Sequence, residues 1–329
     1  MRPDVVLHKE ANVTMTLTEL KYIVAVAREK HFGHAAEACF VAQPTLSVAI
    51  KKLEDELGVV IFERGGTEIS MTPLGSQIVA QAERVLEQTA AIKEIAKQNK
   101  DPLAGPLRLG VIYTIAPYLL PPLVKTMIER VPQMPLVLQE NFTTRLIELL
   151  RQGELDAAIM ALPFADQGLV VQPLYDEPFV VALPKQHPWA DRSTIRAEDL
   201  KSETMLLLGN GHCFRDQVLE VCPEMSRFST SGDGIARTFE GSSLETIRHM
   251  VASGIGITVL PKASVPEVQA RDGMLRYVPF SSPSPSRRVV IAWRKSFTRR
   301  PAIDAIRDAV LSCDLNGVTM LREEEVVAA

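Results

Sequence analysis

Between Thr16 and Gly58 the apolar positions recur every three or four residues, which predicts three short helices. Leu20, Ile23, Val24 and Ala27 share one helical face, and Thr16 with Glu19 three residues on makes a capping box, so the first helix runs to about Glu29. A second is expected from His34 to Phe40. The third opens with Pro44 in its first turn and ends near Leu57, where Gly58 supplies the stop. Leu46, Ala49, Ile50, Leu53 and Leu57 form its apolar stripe. Gln43, Thr45, Ser47, Val48 and Lys51 fall mostly off that stripe. The following "VIFERGGTEISMT" reads as two short strands around Gly65-Gly66.

From Pro73 a helical pattern continues through Leu74, Ile78, Ala82, Val85, Leu86, Ile92 and Ile95 to about Lys100. At ~1.5 Å per residue this gives about 40 Å of helix, and its narrow stripe reads as a dimer seam. "KDPLAGP" closes it with Pro and Gly. The rhythm then changes to strands alternating with helices: "LRLGVI", "PLVLQE", "DAAIMAL", "FVVALP", "TMLLLG", "GITVLP" and "RVVIAW" are strand runs, with helices at "PYLLPPLVKTMIER", "TTRLIELLRQGE" and "SLETIRHMVASG". That alternation predicts an α/β region with mainly parallel pairing, and "LYDEPFVVALPKQHPW" marks the crossing into a second lobe. The expected division is an irregular extension at 1–14 and a unit of three helices and two short strands at 15–72, followed by a linker helix at 73–100 and a hinge at 101–106. Lobe I then comprises 107–175 and 281–312, lobe II 176–280, and the tail 313–329.

Composition narrows the partners. No apolar run reaches the ~18 residues of a membrane helix, and "MRPDVVLHKEANVTM" has no signal-peptide core, so a cytoplasmic protein with no membrane contact is expected. Four cysteines in 329 residues do not make a secreted disulfide scaffold. The net charge is −4, and residues 15–71 hold six Lys or Arg against eight Asp or Glu, so any DNA contact must be local. The third helix offers one: amides and hydroxyls at Gln43, Thr45 and Ser47 suit base edges, while Lys51 and the helix N-terminus suit phosphates. Glu54, Asp55 and Glu56 must then face away. No glycine-rich phosphate loop or hydrolase elbow argues for an enzyme.

The chemistry concentrates in "GNGHCFRDQVLEVC", Gly209 to Cys222. Its cysteines have three readings: buried hydrophobes, metal ligands or a reactive pair. His212, Cys213 and Cys222 lack the paired spacing of a metal knuckle, so no metal or other cofactor is expected. Cys213 stands where a helix begins, beside His212 and two residues before Arg215, an environment that favours thiolate. Asp216 is suited to orienting Arg215. Cys39 and Cys313 lie in apolar patterns and read as packing residues.

"FGHAAEACFVAQPTLSVAIKKLEDELGVVIFER" followed by "TPLG" resembles the N-terminal signature of LysR-type bacterial transcription regulators. "GPLRLGVIYTIAPYLLP", "DEPFVVALPKQHPWA", "GHCFRDQ" and "SSLETIRHMVASGIGITVLP" extend the resemblance, through residues 15–310, to the peroxide-sensing branch of that family. It implies an all-α winged helix-turn-helix with a long linker helix, then an α/β regulatory domain of two Rossmann-like lobes, similar to periplasmic binding proteins. Gln43, Pro44, Thr45, Ser47, Lys51 and Arg64 would bind double-stranded promoter DNA. Cys213 would be oxidised by hydrogen peroxide and joined to Cys222, with Thr114, Thr143, His212, Arg215, Asp216 and Arg288 positioning peroxide or supporting the thiolate; Thr144 competes with Thr143 for that part. Dimers assembling into a tetramer, RNA polymerase, and a glutaredoxin- or thioredoxin-type reductant are the further partners implied. If one helix carried both cysteines, nine residues would separate them by ~13.5 Å on opposite faces. A disulfide needs Cα atoms within roughly 7 Å, so bonding requires local unfolding; Pro223, directly after Cys222, would ease it. The alternative within the family is a regulator that answers a small metabolite, with incidental cysteines. A thiol peroxidase or transferase is disfavoured by the reading helix.

Overall fold

The structure is a computed structural model that describes residues 15–63, 69–97, 101–165, 168–221, 238–241, 243–266 and 273–322. The extension at 1–14, Arg64, Gly65-Gly66, Cys222, Pro223 and the end of the tail lie outside the described residues. Two compact units divide near residue 93.

In the first unit, α1 (Leu17–Glu29) begins with the expected capping box: Glu19 N donates to Thr16 Oγ1 at 3.2 Å, and Thr16 N donates to Glu19 Oε2 at 2.7 Å. Burial pulls the Glu19 carboxyl up, but these bonds and Lys52 leave it below its ordinary value. α2 (Phe32–Ala38) starts two residues earlier than the periodicity predicts. The reason is His31, whose Nδ1 accepts from Gly33 N and His34 N and so does the work of a serine or aspartate cap. α3 (Gln43–Leu57) ends at Gly58, φ 66°. Leu46, Ile50 and Leu53 are fully buried against Leu20, Ile23, Val26 and Phe62. β1 (Phe62–Glu63) and β2 (Ser70–Met71) pair antiparallel. Glu54 Oε1 accepts from Ile61 N at 2.7 Å and Phe62 N at 3.1 Å, so one carboxylate of the acidic triplet anchors the strand entry. In α4 (Pro73–Lys97), Val79 and Ala82 are buried in this same core, while Leu74 and Ile92 stay exposed. The first half of the apolar stripe thus serves the unit's own packing.

The turn after α2 is a Schellman motif: Phe40 N donates to Glu37 O and Val41 N to Ala36 O, both at 3.0 Å. Its left-handed position, where glycine is usual, holds Phe40 at φ 56° with 96% of its surface exposed. The strain of a left-handed non-glycine residue, roughly 1–2 kcal/mol, exceeds the extra chain entropy of glycine, roughly 0.5–1 kcal/mol. Phe40→Gly is therefore expected to stabilise the unit by about 0.5–1 kcal/mol, seen as slower amide exchange in α2 and α3. Faster exchange would mean that the ring makes a stabilising contact.

The second unit begins with β3 (Leu107–Ile112), α5 (Ala116–Arg130), β4 (Leu136–Asn141), α6 (Thr143–Gln152) and β5 (Ala157–Ala161). β6 (Leu169–Pro184) is sixteen residues long. Then come β7 (Met205–Leu208), α7 (Cys213–Val221), β8 (Thr238–Gly241), α8 (Leu244–Ala252), β9 (Thr258–Pro261), β10 (Leu275–Pro279), β11 (Ser286–Arg294), α9 (Arg300–Leu311) and β12 (Thr319–Met320). The main sheet runs β10-β6-β11-β5-β3-β4, with β9 and β12 also on β6. β6 crosses from one lobe to the other: residues 169–178 pair with β11, and 179–184 with β9 and β10.

Among the described strands, the β3–β4, β3–β5 and β7–β8 ladders are parallel and the other ladders antiparallel. The expectation of mainly parallel pairing is corrected here. A parallel return needs a dozen or more connecting residues. The described residues of the links at 162–168 and 280–285 hold no helix, and β11 runs antiparallel to both its neighbours. Each lobe has its own core, one around Leu109, Val111, Ile159 and Ile303, the other around Val181, Leu206, Phe214 and Leu260.

Candidate functional site

Three strand-to-helix turns meet in the second unit. β3 hands over to Tyr113 and Thr114, β4 to Phe142 and Thr143, and β7 leads through Gly211 and His212 to Cys213. Between them lies a pocket of about 170 Å³, its open mouth included. β3 and β4 are parallel, and their carboxyl ends are where ligands sit in sheets of this kind.

Cys213 is a half-buried free thiol and the first residue of α7. It packs against the lobe I core, whereas Phe214 and Val218 are buried in that of lobe II. Gln217, one turn on, donates from Nε2 to Leu162 O at 2.8 Å. A single helix therefore bridges the lobes, with the thiol at its N-terminus. His212 is buried, and its ring makes edge contacts with Phe142 and Tyr113. Arg215 is held by its own turn, Nη1 donating to Leu208 O at 3.1 Å, and Asp216 is exposed.

The two threonines differ in a useful way. Thr143 Oγ1 is buried without a hydrogen-bond partner among the described residues, and Thr144 is exposed. Of the adjacent pair, the pocket takes Thr143. Thr114 Oγ1 accepts from Arg287 Nη1 at 2.8 Å, and Thr114 O accepts from Arg287 Nη2 at 3.1 Å. With its oxygen already engaged, the Thr114 hydroxyl retains its proton for donation. Arg287 Nε donates to Glu177 Oε2 at 2.7 Å, both side chains 1% exposed, and Glu177 Oε1 accepts from Ala263 N at 3.0 Å. This buried network ties the pocket's Thr114 to lobe II.

Arg288 is not among the residues lining the pocket. It forms a two-pronged pair with Asp176 at 2.8 and 2.9 Å, about a third exposed. Strand alternation puts Arg287 and Arg288 on opposite faces, and the inward one is Arg287. The sequence reading missed Arg287, Glu177, Tyr113 and Phe142. Only the paired arginines carried a usable signal, since one of two neighbours on a buried strand must face inward.

The other described cysteines are placed as packing residues, and burial pushes the Cys39 and Cys313 thiols up. In the first unit Gln43, Pro44, Thr45 and Lys51 are exposed along α3, with Ser47 half-buried between them. Among the described residues, no helix is long and apolar enough to cross a membrane.

Residues 17–76 match the bacterial regulatory helix-turn-helix of the lysR family, and residues 100–312 match the LysR substrate binding domain. The chain belongs to the LysR family of bacterial transcription regulators. It is a DNA-binding regulator, not an enzyme, and its relatives are the OxyR proteins. It is 39% identical over 296 residues to the hydrogen peroxide-inducible genes activator of Dickeya chrysanthemi, covering 90% of this chain and 95% of the relative. The identity and both coverages are the same for the DNA-binding transcriptional dual regulator OxyR of Escherichia coli K12. A full-length OxyR point mutant from Pseudomonas aeruginosa is 51% identical, with a TM-score of 0.67 over 94% of this chain and 99% of that one. A hydrogen peroxide-bound OxyR mutant from Corynebacterium glutamicum is 33% identical, with a TM-score of 0.59 over 90% and 91%.

Proposed function

We propose that this regulator senses hydrogen peroxide through Cys213. The observation that carries the reading is a free thiol at a helix N-terminus, sharing a small pocket with a buried unpartnered hydroxyl, Thr143, and a hydroxyl whose oxygen is already occupied, Thr114. The thiolate attacks one peroxide oxygen, the O–O bond breaks, and the leaving oxygen takes a proton and departs as water. Thr114 and Thr143 hydrogen-bond the peroxide in line for that attack. The sulfenic acid at Cys213 then reacts with the Cys222 thiol. A sulfur–sulfur bond forms and a second water leaves, so two thiols are oxidised and one peroxide is reduced. His212 and Arg215 support the thiolate, and Asp216 and Arg288 act through neighbouring charges.

α7 bridges the lobes, so pulling its first residue toward Cys222 disturbs both cores. That coupling alters the dimer and tetramer through the linker helix, and with them DNA binding by Gln43, Pro44, Thr45, Ser47, Lys51 and Arg64. Transcription by RNA polymerase changes in turn, and a glutaredoxin- or thioredoxin-type reductant resets the switch. Pocket size favours peroxide over a metabolite. Small-molecule sites typically span ~300–1,000 Å³, more than the whole of this one.

The test is a non-reducing peptide map after one equivalent of peroxide, beside Cys213→Ser. A Cys213–Cys222 linked peptide appearing within seconds, and absent from the variant, is the expected result. Cys39 and Cys313, protonated by burial, are expected to stay reduced at that dose. Four free cysteines would overturn the proposal.

A further inference from the structure

The wall of the Cys213 pocket is more aromatic than peroxide chemistry requires. Phe142 and His212 lie 4.8 Å apart by ring centroids, Tyr113 and Phe142 5.2 Å, and Tyr113 and His212 5.9 Å, each pair edge to face. Three rings contributed by three different turns thus close on one another beside the thiol. His212 is buried, and Phe142 caps α6 from an extended backbone. Gly211, at φ +96°, lies flat on the Phe142 ring, where an added Cβ would meet two ring carbons at 3.4 Å. Tyr113 forms the outer rim, 39% exposed.

We infer that Tyr113 and Phe142 are a size filter that admits hydrogen peroxide to Cys213 and rejects hydroperoxides carrying an alkyl or aryl group. This rests on the peroxide reading above and adds to it the residues that set specificity. A water molecule takes up about 30 Å³ of liquid, and hydrogen peroxide is the smallest step up from it. The small space beside the thiol is matched to a ligand of that order and not to a bulkier one. An aryl hydroperoxide presents the same O–O bond, and the same attack would give sulfenic acid at Cys213 and an alcohol. To deliver that bond, however, it must place its bulky group where Phe142 and Tyr113 stand. Such filtering is a matter of shape and not of reactivity, so the wall residues can be trimmed without touching the thiol or the two threonines.

The experiment measures the rate at which full-length protein loses the Cys213 thiol to hydrogen peroxide and to cumene hydroperoxide. Wild type, Phe142→Ala and Tyr113→Ala are compared by rapid quench and mass spectrometry. The readout is the ratio of the two rates, which divides out any general loss of reactivity. That ratio is expected to fall about tenfold or more in Phe142→Ala, the range in which pocket shape discriminates apolar groups, and less in the rim variant. An unchanged ratio in both variants overturns the filter while leaving peroxide sensing intact. If wild-type Cys213 fails to react with hydrogen peroxide at all, the peroxide reading itself falls. Should Phe142→Ala fold poorly, Tyr113→Ala, at the partly solvated rim, decides the question alone.

Discussion

Replacing Glu177 by Gln is expected to lower the stability of the regulatory unit by about 3–5 kcal/mol, because it leaves the Arg287 guanidinium buried without a counter-charge. Both side chains are 1% exposed, and no solvent is at hand to take over from the carboxylate. Glu177 also accepts from Ala263 N, and Arg287 holds both the hydroxyl and the carbonyl of Thr114 while lying 5.1 Å over the Phe214 ring. A single charge therefore fixes the turn that starts α5, the 3₁₀ segment after β9 and the first residues of α7. Trp189 and Trp293, the chain's two tryptophans, are both buried in this unit, so the urea midpoint of their fluorescence reports it directly. A shift equivalent to less than ~1 kcal/mol would place the pair in the class of exposed ion pairs. Removing both charges together, as Glu177→Leu with Arg287→Met, is expected to recover much of the loss, since the damage comes from the orphaned charge more than from the missing pair. The two singles differ in function as well: Arg287→Met frees the Thr114 oxygen and is expected to slow Cys213 oxidation beyond what its stability loss explains.

The arginine pair also shows where sequence reasoning stops. Alternation says that of Arg287 and Arg288 one faces in and one out, but not which. The choice is made by the strand opposite: the register sets Arg287 against Glu177 and Arg288 against Asp176, so each acid selects its partner. That register depends on chain segments more than a hundred positions apart, and no local pattern encodes it. The helices of the first unit were legible because their signals are local: a capping box at Thr16, a Pro in the first turn of α3, a left-handed glycine at Gly58. α2 was misplaced by two residues because the cap is an imidazole, a residue type seldom counted as one. The pocket splits in the same manner. Cys213 and His212 stand together in one short segment and were visible. Tyr113 and Phe142 reach them only because β3 pairs with β4 in parallel, which brings the carboxyl ends of both strands to one edge. The mixed sheet escaped notice because strand periodicity is the same for parallel and antiparallel neighbours.

Gly75→Ala is expected to disable DNA binding while leaving peroxide chemistry at its wild-type rate. Gly75 is buried in the first turn of α4, and a Cβ added there would fall on the Ile61 carbonyl. That carbonyl cannot step aside. It accepts from Thr72 N at 3.0 Å, while Phe62 N, the other half of the same peptide group, donates to Glu54 Oε1 at 3.1 Å, so the peptide is pinned from both ends. Thr72 closes the knot: its hydroxyl donates to Val60 O at 2.7 Å and accepts from Gly75 N at 2.8 Å. Overpacking of this kind typically costs about 1–3 kcal/mol, and here it must also strain hydrogen bonds that set the entry to β1 and β2. The glycine of "TPLG" is thus required by the space between a helix and a strand, not by its own backbone conformation. The check is affinity for a short DNA duplex at low salt, where phosphate contacts alone give measurable binding, alongside the rate of Cys213 oxidation in the same preparation. Lost affinity with an unchanged oxidation rate is the expected pair of results, since the two sites belong to separately packed units with separate cores. If oxidation slowed in parallel, the folding of the second unit would have to depend on that of the first. If affinity survived, the turn of α4 must be able to lift away from Ile61 without disturbing the reading helix.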